Sequence, residues 1–145
     1  MKISSKGRYA LQMLLDLAER RNDGYIALKD IAERRNISKK YLEQIVPILT
    51  KSNMLQTIRG YQGGYKLAKS PDKYTVGDIL RLTEGSLAPI SCPDQFPDPS
   101  MQNGGYATLS VWQGLSRVIN EYLDSVTLQD ILDQQNEQCA YNYII

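Results

Sequence analysis

Histidine is absent from the 145 residues, and cysteine occurs only twice, as Cys92 and Cys139. Without histidine the commonest general base and metal ligand is missing. No phosphate-cradling glycine loop with its lysine, and no serine or cysteine nucleophile beside a recognisable base, stands in its place. These absences argue against an enzyme. Two cysteines make no disulfide scaffold, and free thiols are the default in a reducing compartment. No apolar run approaches the ~20 residues a membrane helix requires. The start of the chain does not read as a signal peptide, because Lys2 and Lys6 lead into a pattern carrying Asp16 and Glu19 rather than an unbroken apolar core. A cytoplasmic protein without membrane contact is expected.

Net charge is nearly absent too, at +1, yet this sum hides an asymmetry. Residues 1–73 hold 15 Lys and Arg against 7 Asp and Glu, a net +8, whereas residues 74–145 hold 2 against 9, a net −7. A basic half suits a polyanionic partner, since each cation that neutralises a phosphate releases condensed counterions. The acidic half should face elsewhere. With 42% apolar residues, the chain has enough to bury one core.

Ser4 and Ser5 are placed to cap a first helix, in which Tyr9 and Ala10, Met13 and Leu14, and Leu17 and Ala18 recur at a spacing of four until Asn22-Asp23-Gly24 stops it. Lys2, Lys6 and Arg8 crowd its start, as phosphate contacts or as a solvated basic end. A second helix is predicted near Leu28 to Arg35, with Asn36 as a left-handed C-terminal residue. Ser38 then caps a third helix whose apolar face is Tyr41, Leu42, Ile45 and Val46. Lys39, Lys40, Glu43 and Gln44 remain free to point outward. Pro47 has no N–H to donate to the Glu43 carbonyl, so a kink or a changed helix end is expected there.

Leu55 to Arg59 and Tyr65 to Ala68 read as paired strands around Gly60-Tyr61-Gln62-Gly63-Gly64, whose glycines permit positive φ and close backbone approach. A basic-faced helix followed by such a hairpin is what a winged helix-turn-helix needs to enter one DNA groove and brace on the next. Tyr61, Tyr65 and Tyr74 are expected to pack the wing. Thr75 caps a further helix, with Asp78 three positions on, and Glu84-Gly85 ends it.

Residues 86–104 hold Pro89, Pro93, Pro97 and Pro99, an irregular loop of about 19 residues of the kind that is usually functional. From Tyr106 to Val126 a long helix returns, with Leu109, Trp112, Leu115, Ile119, Tyr122, Leu123 and Val126 on one stripe. At about 1.5 Å per residue it spans about 30 Å, too long for a small winged helix to cover alone. A symmetric second copy is the simplest partner. Thr127 caps a last helix, and the apolar, aromatic tail from Cys139 to Ile145 is expected to pack, across the dimer or within the chain. The fold class expected is mainly α: a winged helix-turn-helix of three helices and a two-stranded wing, with a long dimerisation helix. Three segments follow: 1–74 for DNA binding, 75–103 as connecting helix and effector or partner loop, and 104–145 for dimerisation.

The ordered set M-K-I-S-S-K-G-R-Y-A, Y-L-E-Q-I, R-G-Y-Q-G-G-Y-K-L, D-I-L-R-L-T-E-G and T-L-Q-D-I-L resembles the bacterial Rrf-two family of winged-helix transcription regulators over nearly the whole chain. The resemblance implies a homodimeric regulator, in the main a repressor, on double-stranded DNA with a pseudo-palindromic operator. By position in the matched motifs, Ser38, Lys39, Lys40, Tyr41, Glu43 and Gln44 would face the major groove, and Arg59, Gly60, Gln62 and Gly63 would form the wing contact. Chemically, Glu43 suits cytosine N4, Gln44 suits adenine, and Lys39 and Lys40 suit phosphates. Arg59 suits the electronegative minor groove of an A·T-rich segment. The plain alternatives are a Lys39–Glu43 pair on a solvated helix face and Tyr41 in the core.

Cluster-binding members of that family place three cysteines in the loop before the long helix, commonly six apart. Here Cys92 is followed at those intervals by Asp98 and Gly104. An iron–sulfur cluster needs about four ligands, mainly thiolates, so no cofactor or metal is expected. The cluster-free cysteine-metabolism repressors also lack the triplet and are controlled through a bound cysteine-biosynthetic enzyme, and the chain looks most like that branch. An iron–sulfur-sensing regulator with a cluster shared by the four cysteines of two copies, a small-molecule effector in the loop, or Cys92 as a redox sensor, remain as alternatives, although Asp94 and Asp98 would raise the thiol's pKa. A winged helix that binds only protein is the rival of another class.

Overall fold

A computed structural model describes residues 2–90 and 105–144. Helix α1 (Ser5–Glu19) starts where expected, the Ser4 side chain accepting from the Gly7 N–H at 3.3 Å. It ends at Glu19, before the Asn22-Asp23-Gly24 stop. Helix α2 (Leu28–Arg35) terminates on Asn36, whose φ of 53° is the left-handed conformation that asparagine tolerates. Ile37 is buried in the turn, and the Ser38 hydroxyl accepts from the Tyr41 N–H at 3.3 Å to open α3 (Lys39–Lys51). Contrary to expectation, α3 does not end at Pro47 but runs on to Lys51. Pro47 is exposed, while Ile45 and Leu49 on either side are fully buried, so packing of the apolar face offsets one missing hydrogen bond.

Strands β1 (Leu55–Ile58) and β2 (Gly64–Leu67) pair antiparallel, Leu55 opposite Leu67 and Ile58 opposite Gly64. Sequence reasoning missed a third contributor. Ile26 bridges to Tyr65 through two 2.8 Å hydrogen bonds, so the segment before α2 adds to the sheet edge. Gly64 is required there, because a Cβ would collide with the Ile26 backbone. Tyr74, buried as expected, donates its hydroxyl to the Met54 carbonyl at 2.6 Å and accepts from the Ala68 and Lys69 N–H groups at 3.0 and 3.2 Å. This closes the base of the hairpin. Burial pushes the Tyr74 phenol up, against the two backbone donors. Tyr61, in contrast, packs against nothing and is 104% exposed.

Helix α4 (Val76–Glu84) opens on Thr75, whose hydroxyl accepts from Asp78 N–H at 3.0 Å, and crosses α1 near Gly7. Glu84 accepts from the Ser4 N–H at 3.0 Å and from its hydroxyl. Helix α5 (Gly105–Ser125) is joined to α4 by Arg81, which donates to Asp124 at 2.7 and 2.9 Å and to Asn120 at 2.8 Å. Helix α6 (Leu128–Ile144) begins with a reciprocal capping box, Thr127 N–H to Asp130 at 2.9 Å and Asp130 N–H to the Thr127 hydroxyl at 3.1 Å. Leu128 is fully buried in the core shared with α1, α2 and α3. The tail continues α6 and does not pack within its own chain at Cys139 and Tyr141, which are exposed in the single subunit.

Asp16 is the one charged side chain buried among the described residues. Its carboxylate accepts from Arg34 at 2.7 and 3.2 Å, Arg35 at 3.1 Å and Arg20 at 3.4 Å. Burial alone would raise its pKa, but the hydrogen bonds from Arg34 and Arg35, with the nearby positive charge, bring it below the ordinary carboxylate value. A depressed folded-state pKa gives stability that is present above the unfolded value of 3.8 and is lost as pH falls through the folded value. Replacing Asp16 with Asn should cost about 3 kcal/mol at neutral pH, by leaving three guanidinium groups without their anion. Urea titrations at neutral and acid pH should show that loss, and a shallower decline in acid for the variant than for the parent.

Candidate nucleic-acid interface

Five of the sequence-predicted residues line one groove. Between α3 and the hairpin lies a groove of about 700 Å³ lined by Lys39, Glu43, Arg59, Gly60 and Gly63. The hairpin register sets this meeting. Pairing ends at Ile58, so Arg59 stands beyond the ladder at the tip, free of strand geometry. The outward face of α3 presents Ser38, Lys39, Lys40, Glu43 and Gln44, all exposed, while Leu42, Ile45 and Leu49 hold the opposite face in the core.

Tyr41 is half-buried and meets the Tyr9 ring edge-on, centroids 5.2 Å apart, so its ring ties α3 to α1. Through that contact the start of α1 lies beside the start of α3. Arg8, next to Tyr9, is exposed and donates to the Ser5 hydroxyl at 3.1 Å; Lys2 is exposed and Lys6 half-buried.

The wing tip is shaped by its glycines. Gly60 has φ of 120°, outside what side-chain-bearing residues readily adopt, and its carbonyl accepts from the Gly63 N–H at 2.9 Å. A Cβ on Gly63 would stand 2.6 Å from the Ile58 carbonyl oxygen. Gly63 thus forms the turn, leaving Tyr61 and Gln62 exposed at its apex. Sequence reasoning missed Lys29, Thr50 and Thr57, which also line the groove. The Ile26–Tyr65 bridge, invisible in the sequence pattern, ties the segment before α2 to the hairpin that forms this groove.

The long-helix stripe divides in two. Leu123 and Val126 pack with Val76, Leu80 and Leu87 in a second core cluster, and Leu109 and Ile119 are half-buried. Trp112, Leu115 and Tyr122 are exposed, together with Val111 and Val118, which were missed. At about 100° per residue Val111, Leu115, Val118 and Tyr122 fall within about 60° of arc, a separate apolar face turned away from the core. Their i, i+4, i+7, i+11 spacing was the available signal. Cys92 lies outside the described residues. Cys139 stands beside Ala18 and Glu19 at the C-terminal end of α1, whereas the chain leading to Cys92 leaves α4 at the opposite end, where Glu84 holds Ser4. Among the described residues no helix is long and apolar enough to cross a membrane, and no group of three or more His, Cys, Asp or Glu could hold a metal ion.

Comparison with known proteins agrees with this architecture. A family model described as Rrf2, iron-dependent transcriptional regulator, matches residues 3–134. The HTH-type transcriptional regulator CymR of Bacillus subtilis (strain 168) is 39% identical over 147 residues, covering 100% of both chains. The solved structure of CymR, described as the global cysteine regulator of B. subtilis, superposes with a TM-score of 0.76 at 36% identity over 92% of this chain and 98% of that one. T. potens IscR gives a TM-score of 0.76 at 40% identity, over 95% and 90%.

The wing geometry makes a prediction of its own. Gly63→Ala should open the turn at a cost of about 1–2 kcal/mol, because the added Cβ meets backbone rather than a movable side chain. Limited trypsin digestion should then cut after Arg59 several-fold faster, whereas Gln62→Ala, at an exposed position, should leave the rate unchanged.

Proposed function

This chain belongs to the Rrf2 family of winged-helix, DNA-binding transcriptional regulators, and from that premise we propose that it is a cluster-free homodimeric repressor of cysteine or sulfur metabolism. The observation that carries the DNA-reading part is the single groove in which Lys39 and Glu43 of α3 face Arg59 of the wing tip. In this reading the N-terminal turns of α3 enter the major groove. Glu43 and Gln44 read base edges, while Lys39, Lys40 and the α1 start with Lys2, Lys6 and Arg8 hold phosphates. Arg59 enters the adjacent minor groove, where a narrow A·T-rich segment concentrates negative potential. Activity as an enzyme has no part in it, and the protein works in the cytoplasm.

The exposed face of Val111, Leu115, Val118 and Tyr122 supports the dimer, since an apolar patch rimmed by polar residues marks an association surface. Two copies paired along α5 would present two α3 helices to a pseudo-palindromic operator. Residues 1–74 then form the reader, 75–103 the connector and partner or effector loop, and 104–145 the pairing unit.

The family description names iron, and the donor set does not fit a resident cluster. Two cysteines and no histidine in one subunit fall short of the about four ligands a cluster takes, so a cluster would need all four thiols of two copies. No step is assigned to such a group. Control through a bound cysteine-biosynthetic enzyme rests on the likeness to CymR, with a small-molecule effector as the second source of the signal.

Selection of duplexes from a random library should return an inverted-repeat site. Arg59→Ala should weaken binding at least tenfold and lower the slope of log affinity against log salt by about one, with the dimer intact by sedimentation. Val118→Glu should do the reverse, dissociating the dimer while each subunit stays folded. Anaerobically purified protein should be colourless; visible absorbance of a cluster would reject the cluster-free assignment.

A further inference from the structure

A wing turn of this shape is ordinarily built from Gly, Asn and Asp, which supply the φ angles and stay solvated. Here the apex carries tyrosine. Tyr61 has no packing partner, and its side chain is 104% exposed, although Gly60 and Gly63 close the turn beneath it by a 2.9 Å hydrogen bond. The turn therefore fixes where the ring is held without using the ring. Arg59 and Gln62, both exposed, flank it. A tyrosine ring offers about 150–250 Å² of surface for contact, with an apolar body and a hydroxyl at its end. Deoxyribose faces beside a phosphate oxygen match that pair of properties.

We propose that Tyr61 is a second DNA contact of the wing, packing its ring along the deoxyribose backbone beside the groove that Arg59 enters and donating its hydroxyl to a phosphate oxygen. This rests on the DNA-reading role given above. It differs from the Arg59 contact in kind. An uncharged ring neutralises no phosphate, so it adds affinity without releasing a condensed counterion. It also explains why the tip closes on glycine contacts alone: an aromatic at the apex of a floppy turn would lose its contact to conformational entropy. The wing then holds its duplex with one contact that weakens with salt and one that does not depend on it.

The full-length protein and its Tyr61→Ala, Tyr61→Phe and Arg59→Ala variants would be titrated with the duplex selected by the wild type, at four salt concentrations. Tyr61→Ala should bind about tenfold more weakly with an unchanged salt slope, and Tyr61→Phe about threefold more weakly. Thermal unfolding should be unaltered, because the ring touches nothing in the protein. If Tyr61→Ala binds within about twofold of wild type while Arg59→Ala is weakened, the Tyr61 contact is refuted and the regulator reading stands. If Tyr61→Ala lowers the salt slope as Arg59→Ala does, its effect comes through the arginine and the proposal is also refuted. If the wild type itself selects no duplex, the DNA-reading role fails and this contact with it.

Discussion

The Asp16 carboxylate, held by Arg34, Arg35 and Arg20 at the junction of α1 and α2, sets the frame in which everything else is placed. Taking a carboxylate out of water is costly, and only several well-directed partners compensate it. Those partners lie on α2 and in the turn after α1, so satisfying the charge fixes how α2 lies against α1. From Arg35 the chain has three residues before α3 begins. Asn36 turns left-handed, Ile37 plugs the core, and Ser38 caps. The aim of α3 is thereby determined by a salt cluster on one side and by the Tyr9–Tyr41 contact on the other. An apolar pair at position 16 would pack, but it would not specify direction. A carboxylate with a limited number of acceptor sites does.

The acidic half is attached by the same logic. Glu84 and Asp124 are part of the C-terminal charge excess, yet neither simply faces solvent. Glu84 receives the Ser4 N–H at the start of α1, where a negative charge also meets the positive end of the helix dipole. Asp124 takes Arg81 in a bidentate pair that holds the Arg81 guanidinium above its ordinary pKa and the carboxylate below its own. The charge asymmetry read in the sequence is real, but part of the negative half ties helices together rather than standing unpaired on the surface.

Local signals in the chain were legible wherever a single helix or turn decides the outcome. The Ser4, Ser38, Thr75 and Thr127 caps, the left-handed Asn36, and the antiparallel hairpin all follow from side-chain chemistry within four residues. What escaped required contacts distant in sequence. Pro47 stays helical because Ile45 and Leu49 are buried, a tertiary gain no propensity contains. Lys29 lines the groove beside a bridge, Ile26 with Tyr65, that pairs residues 39 apart in sequence. On α5, one broad stripe in the sequence resolved into two faces, since periodicity marks apolar residues without saying which neighbour covers them. Tyr61 was expected to pack because aromatics usually do, and the glycine turn beneath it removed the need.

Arg81 and Leu128 between them have a mechanical consequence. Arg81 locks α4 to the last turns of α5, and Leu128, just past the α5 end, is seated in the same core that positions α3. Reader and long helix are therefore geared together at one pivot, with the remainder of α5 projecting as an arm. A rotation of about 8° at that pivot carries the end of an arm about 22 Å long through about 3 Å. That displacement is close to the rise of one base pair, so in the proposed dimer a small change of tilt would alter how two readers are spaced on one duplex.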